Sequence, residues 1–496
     1  MGYFLGIDIG GTLIKAGLYR ANGEEIAVAE CDGETVSTQP GFSEREMEVL
    51  WSDLCQTIRQ VLSLADITGD RVRGVSFSSH GKGLYAIDKK GQPVRNGIVS
   101  SDTRAGAMVV ELQQQGIEAV TYPRSLQPIW NSHPAVLLRW LKQHEPAQYE
   151  AIDRVLMAHD YLRFRLTGVA TAEITNISGS NLFSQQTADY DPALMAAFGI
   201  EEVADKTAPL LGSAELAGQV TATAAAQCGL PAGTAVYGGL FDVVGAALCS
   251  GVVDDRTLSA VAGTWSIATC VTEDLLPSSH PFAWGRYCME GRYFVHEGSP
   301  TSASNLAWFL RQFCDNDHQR YAQFNRWVQE RSKQPSDITF LPYLFGSNLG
   351  SNLPGALVGL SGHHDMADIV HAIYQGIVFS HLVHQDRLVA LNPRVERIRM
   401  TGGPTQSDVW MQMFANAGNL PLEVVNIQQS GCRAAAICAA VGAGEYSSFT
   451  EAVQVIQPEV HTYYPDAAAN RRLRDRFAGY LNIAQALNEA NQHANH

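Results

Sequence analysis

The sequence predicts an α/β protein of two related lobes, each built on a βββαβαβα order. Three observations carry this prediction. Residues 6–15 read GIDIGGTLIK: an apolar run ending in Asp8, a turn through Gly10, Gly11 and Thr12, then a second strand-like run. Residues 258–269 read LSAVAGTWSIAT, the same pattern around Gly263 and Thr264. The order of elements after the first turn recurs after the second. Glycines let backbone approach a phosphate closely, and turn amides and hydroxyls donate hydrogen bonds to its oxygens. Two such turns point to two lobes facing the phosphate chain of ATP across a cleft.

The elements follow in order. Phe4 to Ile9, Ile14 to Tyr19 and Ile26 to Cys31 are apolar runs of strand length, and Asn22-Gly23 between the last two signals a hairpin. Met47, Leu50, Trp51, Leu54, Ile58, Val61 and Leu62 recur at helical spacing, so a helix is expected there. Val72 to Phe77 reads as a buried strand. In the second half, Thr257 to Ala262 and Ser266 to Val271 flank the second turn, and Arg292 to Val295 adds a further short strand. A long helix is expected over about Met366 to Leu391 and a strand over Arg397 to Met400. Thr401-Gly402-Gly403 then leads into a helix from about Ser407 to Gly418, and another helix starts near Cys432. Duplication of this unit is the architecture of the actin-like ATPases, the ribonuclease H-like fold. The break between lobes is expected near residue 245, after the Gly238-Gly239 turn, dividing the chain into 1–245 and 246–496.

Composition bounds the partners. A chain of 496 residues exceeds one core. Its formal net charge of −15 argues against a nucleic-acid or anionic-membrane surface. No run reaches about 18 consecutive apolar residues, so no membrane span is expected. The chain begins directly with a strand pattern, and the expected location is cytoplasmic. Nine cysteines without a CxxC read as reduced thiols, and His363-His364 reads as a structural or solvated pair.

Four segments together are more specific. GIDIGGTLIK, GLFDVVGAAL (239–248), GALVGLSGHHDMADIVHAIYQG (355–376) and TGGPTQSDVWMQM (401–413) resemble, in this order, the FGGY family of carbohydrate kinases. The resemblance covers about residues 3 to 480. SSHGKGLYAID (78–88), NISGSNLF (176–183) and SPTSASNLAWF (299–309) are similar to the branch that phosphorylates L-xylulose and 3-keto-L-gulonate. The resemblance implies an ATP-dependent kinase acting on a primary hydroxyl of a ketose or sugar acid, with Mg²⁺.

It also implies roles. Asp242 matches the general base that takes the proton from the sugar hydroxyl; read from its neighbours alone, it fits a helix N-cap equally. Asp8 matches the Mg²⁺ ligand, and Gly10, Gly11, Thr12 and Lys15 the first phosphate turn, although Lys15 also reads as a solvated strand residue. Gly263 and Thr264 match the second turn. Trp265 stands where the family often has a small residue, and it also reads as a packed aromatic. Gly402 and Gly403 match the adenosine segment, where Pro404 replaces a small residue and removes a donor. Asn348 and Ser407 are further candidate nucleotide contacts.

Sugar contacts are expected from His80, Gly81 and Lys82, from Asp102 in the next loop, and from Trp130 or His133 as a wall. This loop matches neither the arginine–glutamate pair of glycerol kinases nor the methionine–histidine pair of D-xylulose kinases. Lys82 suits pairing with a substrate carboxylate, which 3-keto-L-gulonate has and L-xylulose lacks. The alternatives are a kinase for another pentulose or polyol, a relative of the hexokinase-like repressor and glucokinase group, a non-catalytic sugar sensor, and an ATPase that couples hydrolysis to assembly. Relatives of this kind are often homodimers.

Overall fold

The computed structural model of the chain describes residues 2–334, 337–349, 353–456 and 459–494. It forms two compact units. The first comprises Met1–Val253, Thr272–Val295 and Gln428–Gln457; the second comprises Asp254–Val271, His296–Ile427 and Pro458–His496. The return of Gln428–Gln457 to the first unit has a packing cause that a single break near residue 245 does not anticipate. Helix Ser430–Gly442 is rich in small residues and lies on strands Tyr3–Ile9 and Val72–Ser79. A Cβ on Gly6 would stand 1.8 Å from the Cys432 carbonyl oxygen, so the strand and helix meet backbone to backbone.

The first unit is built on a seven-stranded sheet. Its order is Leu216–Gln219, Ala235–Tyr237, Val72–Ser79, Tyr3–Ile9, Leu13–Arg20, Glu25–Asp32, and Leu240–Phe241 also pairs with Val72–Ser79. Tyr3–Ile9 is antiparallel to Leu13–Arg20 and parallel to Val72–Ser79. Helix Met47–Leu64 buries all seven apolar residues predicted to form its face. Gly23 closes the expected hairpin at φ +81°, donating to the Arg20 carbonyl. The core joins Leu5, Ile7, Leu54, Ile58, Val75 and Phe77, all fully buried. A second core, with Leu84, Leu137, Leu141 and Phe198, fills a largely helical region after the sheet's first strands.

In the second unit, Thr257–Ala262 is antiparallel to Ser266–Thr272 and parallel to Arg397–Thr401. Arg397–Thr401 is in turn parallel to Leu422–Val425, which pairs antiparallel with Val460–Tyr463. The short strand expected at Arg292 to Val295 runs over Tyr293–Ser299. Helix Met366–Leu391 starts at Asp365, whose side chain accepts from the Ala367 and Asp368 amides. By length and mean hydropathy it passes for a membrane-crossing helix, but 83% of its most apolar window is buried within the protein. It is a core helix. All nine cysteines are free thiols.

Candidate active site

Strand register places the chemistry of the first unit. Asp8 is paired with Ser78 and Ile9 with Ser79 across the parallel strands, and Phe241 pairs with Ser79 from the other side. Asp8 and Asp242 therefore stand at the same carboxyl-terminal edge of the sheet, where ligands of open α/β sheets bind. Lys15 faces Asp8 on the neighbouring antiparallel strand.

Asp242 is the first residue of helix Asp242–Cys249, and Phe241 is the N-cap. This corrects the capping alternative, because Asp242 contributes a carboxylate to the first turn and does not cap it. Burial, the Asp8 charge beside it and, in opposition, the Val243 amide and the Lys82 ammonium leave its carboxyl raised to about 7. Asp8 is raised to about 6 by burial, moderated by Ser78 and Lys15. Two carboxylates so close disfavour each other's ionisation. Helix Ser430–Gly442 bears on Asp8 with its first turn. A Cβ on Gly431 would lie 2.3–2.5 Å from the Asp8 carboxyl atoms, so only glycine lets that backbone come so near. The helix N-terminus also favours negative charge there.

Around Asp8, the first turn is open. Gly11 has no atom within 4 Å of where a Cβ would be, and Thr12 is exposed. The turn is held from behind by Gly10, which donates to the Leu13 carbonyl (2.9 Å), and by the buried Arg45, which donates to the Gly11 carbonyl (2.9 Å). Lys15 is half-buried, not solvated, and its Nζ donates to Gln429 Oε1 (3.0 Å) and lies 3.6 Å from Glu30.

The sugar-loop residues separate into two groups. Lys82 is half-buried and adopts φ +64°, uncommon for a residue with a side chain. Burial lowers its pKa and the Asp242 charge raises it, so the ammonium and that carboxylate share one electrostatic environment. Gly81 lies against the Phe241 ring, 2.4 Å from a hypothetical Cβ, and Trp130 is 51% exposed. The other three expected sugar contacts make hydrogen bonds within the protein. His80 is buried, with Nδ1 3.2 Å from the Gly81 carbonyl and Nε2 3.1 Å from the Tyr85 hydroxyl; burial lowers its pKa to about 4. Asp102 is fully buried, and its oxygens accept from the Ser43 amide (2.7 Å) and from the Arg104 amide, Nε and Nη2 (2.8–3.0 Å). A carboxylate has about four acceptor positions, and these are filled. His133 precedes helix Pro134–His144 as its N-cap residue, is buried, and bonds Asn181 through Nδ1 (2.8 Å). Asp102 and His133 shape the loops behind the site.

A buried polar network, missed in the sequence, holds the Asp242 helix. Thr175 Oγ1 donates to Glu173 Oε2 (2.7 Å) and accepts from the Phe241 amide (2.9 Å), immediately before Asp242. Glu173 also accepts from the Thr175 and Asn176 amides and from Ser213 Oγ. Ser79 Oγ lies 2.6 Å from His159 Nδ1, and Asn176 Nδ2 reaches Ser79 Oγ and the His80 carbonyl, both at 3.3 Å. The NIS run around Asn176 signalled the family segment, but nothing in its spacing showed which backbone it would hold.

In the second unit, the Gly263-Thr264 turn is closed by Gly263 donating to the Trp265 carbonyl (3.1 Å). Thr264 is exposed, and Trp265 is 48% exposed and so not a packed aromatic. Gly402 takes φ +110° with a would-be Cβ 2.1 Å from the Ala262 carbonyl oxygen, and Gly403 is open. Pro404 sits in the first turn of the 3₁₀ segment Gly403–Gln406. Ser407, an expected nucleotide contact, caps helix Asp408–Gly418, accepting from the Trp410 amide and donating to Asn325 Oδ1 (2.7 Å). Asn348 donates to the Ser380 carbonyl (2.9 Å) and meets His384 Nε2 (3.2 Å).

Residues 3–249 match the N-terminal domain and residues 258–443 the C-terminal domain of the FGGY family of carbohydrate kinases. The chain belongs to this family. It is an ATP-dependent carbohydrate kinase with a small-molecule sugar as substrate. The L-xylulose/3-keto-L-gulonate kinase of Escherichia coli (strain K12) is 42% identical over 98% of this chain and 97% of its own length. A probable L-xylulose kinase of Pasteurella multocida (strain Pm70) is 40% identical over 98% and 99%. Among solved structures, the ligand-bound xylulose kinase from Lactobacillus acidophilus superposes with a TM-score of 0.91 at 21% identity, covering 98% of both chains. Plasmodium falciparum glycerol kinase with ADP gives 0.87 at 16% identity, again covering 98% of both. These likenesses show that the kinase has the actin-like ATPase fold.

Proposed function

We propose that this kinase transfers the γ-phosphoryl group of ATP to a primary hydroxyl of L-xylulose or 3-keto-L-gulonate, with Asp242 as general base. The observation that supports this most is the pair of carboxylates at one sheet edge, Asp242 raised to about 7 beside Asp8. A base poised near the working pH suits proton abstraction from an alcohol. Asp242 takes the hydroxyl proton as the sugar oxygen forms its bond to phosphorus and the bond to the ADP oxygen breaks.

The residues present fit Mg²⁺ and a nucleotide. Asp8 offers one hard oxygen donor beside an open glycine turn, as Mg²⁺ sites with few protein ligands require. Bound there, the ion would neutralise phosphate charge. Gly10, Gly11, Thr12 and Lys15 serve the phosphates, and Gly263, Thr264, Gly402 and Gly403 serve the nucleotide. Gly81, Lys82 and Trp130 meet the sugar, and Lys82 meets its carboxylate when it has one. The reading puts the enzyme in the cytoplasm.

The test is sugar-dependent ADP release over a panel of ketoses, polyols and sugar acids, with Asp242→Asn in parallel. Loss of a general base costs about 10²–10⁴-fold in kcat, with ATP binding retained. The reading fails if the variant keeps its rate. Release independent of sugar marks an ATPase, and ATP binding without release marks a sensor.

A further inference from the structure

Away from these residues, the second unit carries a cavity of about 290 Å³. That is near the lower bound for small-molecule sites, about 300 Å³. Helices Met366–Leu391, Asp408–Gly418 and Ala467–Ala494 supply most of its wall. It touches the face of Asp408–Gly418 bearing Val409 and Met413, two and six residues beyond the Ser407 cap.

Two features of the wall call for a ligand. His371 and Gln375 are one helical turn apart, so they share a face. They are only 4% and 6% exposed. Neither side chain makes a hydrogen bond to another described residue, so their polar atoms are left to what occupies the cavity. The His371 ring stays neutral at neutral pH, because burial lowers its pKa to about 4. The second feature is charge. Arg476 is half-buried, donates only to the Ile338 carbonyl (2.8 Å) and Thr339 Oγ1 (3.2 Å), and has no carboxylate within ion-pair distance among the described residues. Arg472 adds a second guanidinium at the exposed side. Asp475 is the one acidic residue of the lining, and the nearby Asp368 is already paired with Arg331 at 2.6 Å. In a chain of net charge −15, this wall carries an excess of positive charge. Asp337 acts on Arg476 electrostatically without pairing with it directly, and an anion in the cavity would supply a direct charge-assisted partner.

We infer that this cavity binds a small organic anion, a carboxylate or phosphate monoester whose charge meets Arg472 and Arg476. Its polar atoms bond His371 and Gln375, and its apolar body covers Val409, Met413 and Leu473. The site is independent of the sugar and nucleotide residues proposed above.

Benzoate and phenyl phosphate are suitable probes, since each joins an anionic head to a small apolar body. Saturation-transfer NMR and calorimetry on the full chain should show binding of at least one, and the stronger of the two identifies the head group. Arg472→Ala and Gln375→Leu should each weaken that binding about tenfold, the scale of one charge-assisted or buried hydrogen bond. Asp242→Asn should leave it unchanged. Arg472 is exposed, and Arg472→Ala should keep full sugar-dependent ADP release, which certifies its fold. Binding of neither probe, or binding that survives both substitutions, overturns the inference.

Discussion

Single side chains are decided by what they are bonded to. His80, Asp102 and Lys82 look alike as polar loop residues in the sequence. In the fold, His80 and Asp102 spend their polar atoms on Tyr85, Ser43 and Arg104, while Lys82 shares its surroundings with Asp242. Lys82→Met should therefore lower kcat/KM for a sugar acid by at least about tenfold more than for a neutral ketose, the scale of a charge-assisted hydrogen bond. Steady-state kinetics on both substrates checks this, and equal losses refute it. Asp242 has a second consequence. Its folded carboxyl, raised to about 7 against an ordinary 3.8, holds a proton that the unfolded chain has released across that interval. Stability contributed by this group is thus present below about pH 4 and lost as pH rises towards 7. Asp242→Asn should be more stable than the parent by at least about 1 kcal/mol at pH 8, with the difference shrinking towards pH 4. Urea unfolding at the two pH values measures it.

Secondary-structure elements were legible wherever periodicity was strong. Helix Met366–Leu391 begins and ends at the predicted residues, and the seven apolar positions of Met47–Leu64 are all buried. Both are set by local pattern, which the sequence carries directly. The destination of an element is another matter. Helix Ser430–Gly442 reads as a generic small-residue helix, yet it lies on the first strand and brings Gly431 against Asp8. Gly6→Ala should accordingly destabilise the first unit by about 3 kcal/mol or more, as overpacking against backbone does. The comparison is Gly479→Ala, inside helix Ala467–Ala494 with nothing within 4 Å of the added Cβ; it should stabilise by up to about 1 kcal/mol. Similar midpoints for both in chemical denaturation would show that the strand–helix contact relaxes freely.

For the molecule as a whole, the cysteine pattern was read as reduced thiols, and all nine are free. Seven are buried, and only Cys31 and Cys288 are half-buried. Thiol titration of the native protein should count no more than two, and nine after unfolding. A higher native count would mean that the cores open on the timescale of the reagent. The alternation of hairpin, helix and parallel strand produced the expected class because each step obeys short-range rules of turns and periods.

By itself, the sequence determined the elements, the duplicated α/β plan, the two glycine–threonine turns and the family, since these rest on local pattern and on ordered motifs. Tertiary structure alone decided which polar residues remain free. Whether Asp102 accepts from a sugar or from Arg104, and whether Asp242 titrates near 4 or near 7, depends on neighbours brought together from distant parts of the chain. Thr175 reaches the Phe241 amide across 66 residues, Asp8 meets Gly431 from the far end of the chain, and His371 and Gln375 face a cavity closed by helix Ala467–Ala494. Burial and electrostatics act through space, and no spacing along the chain records them.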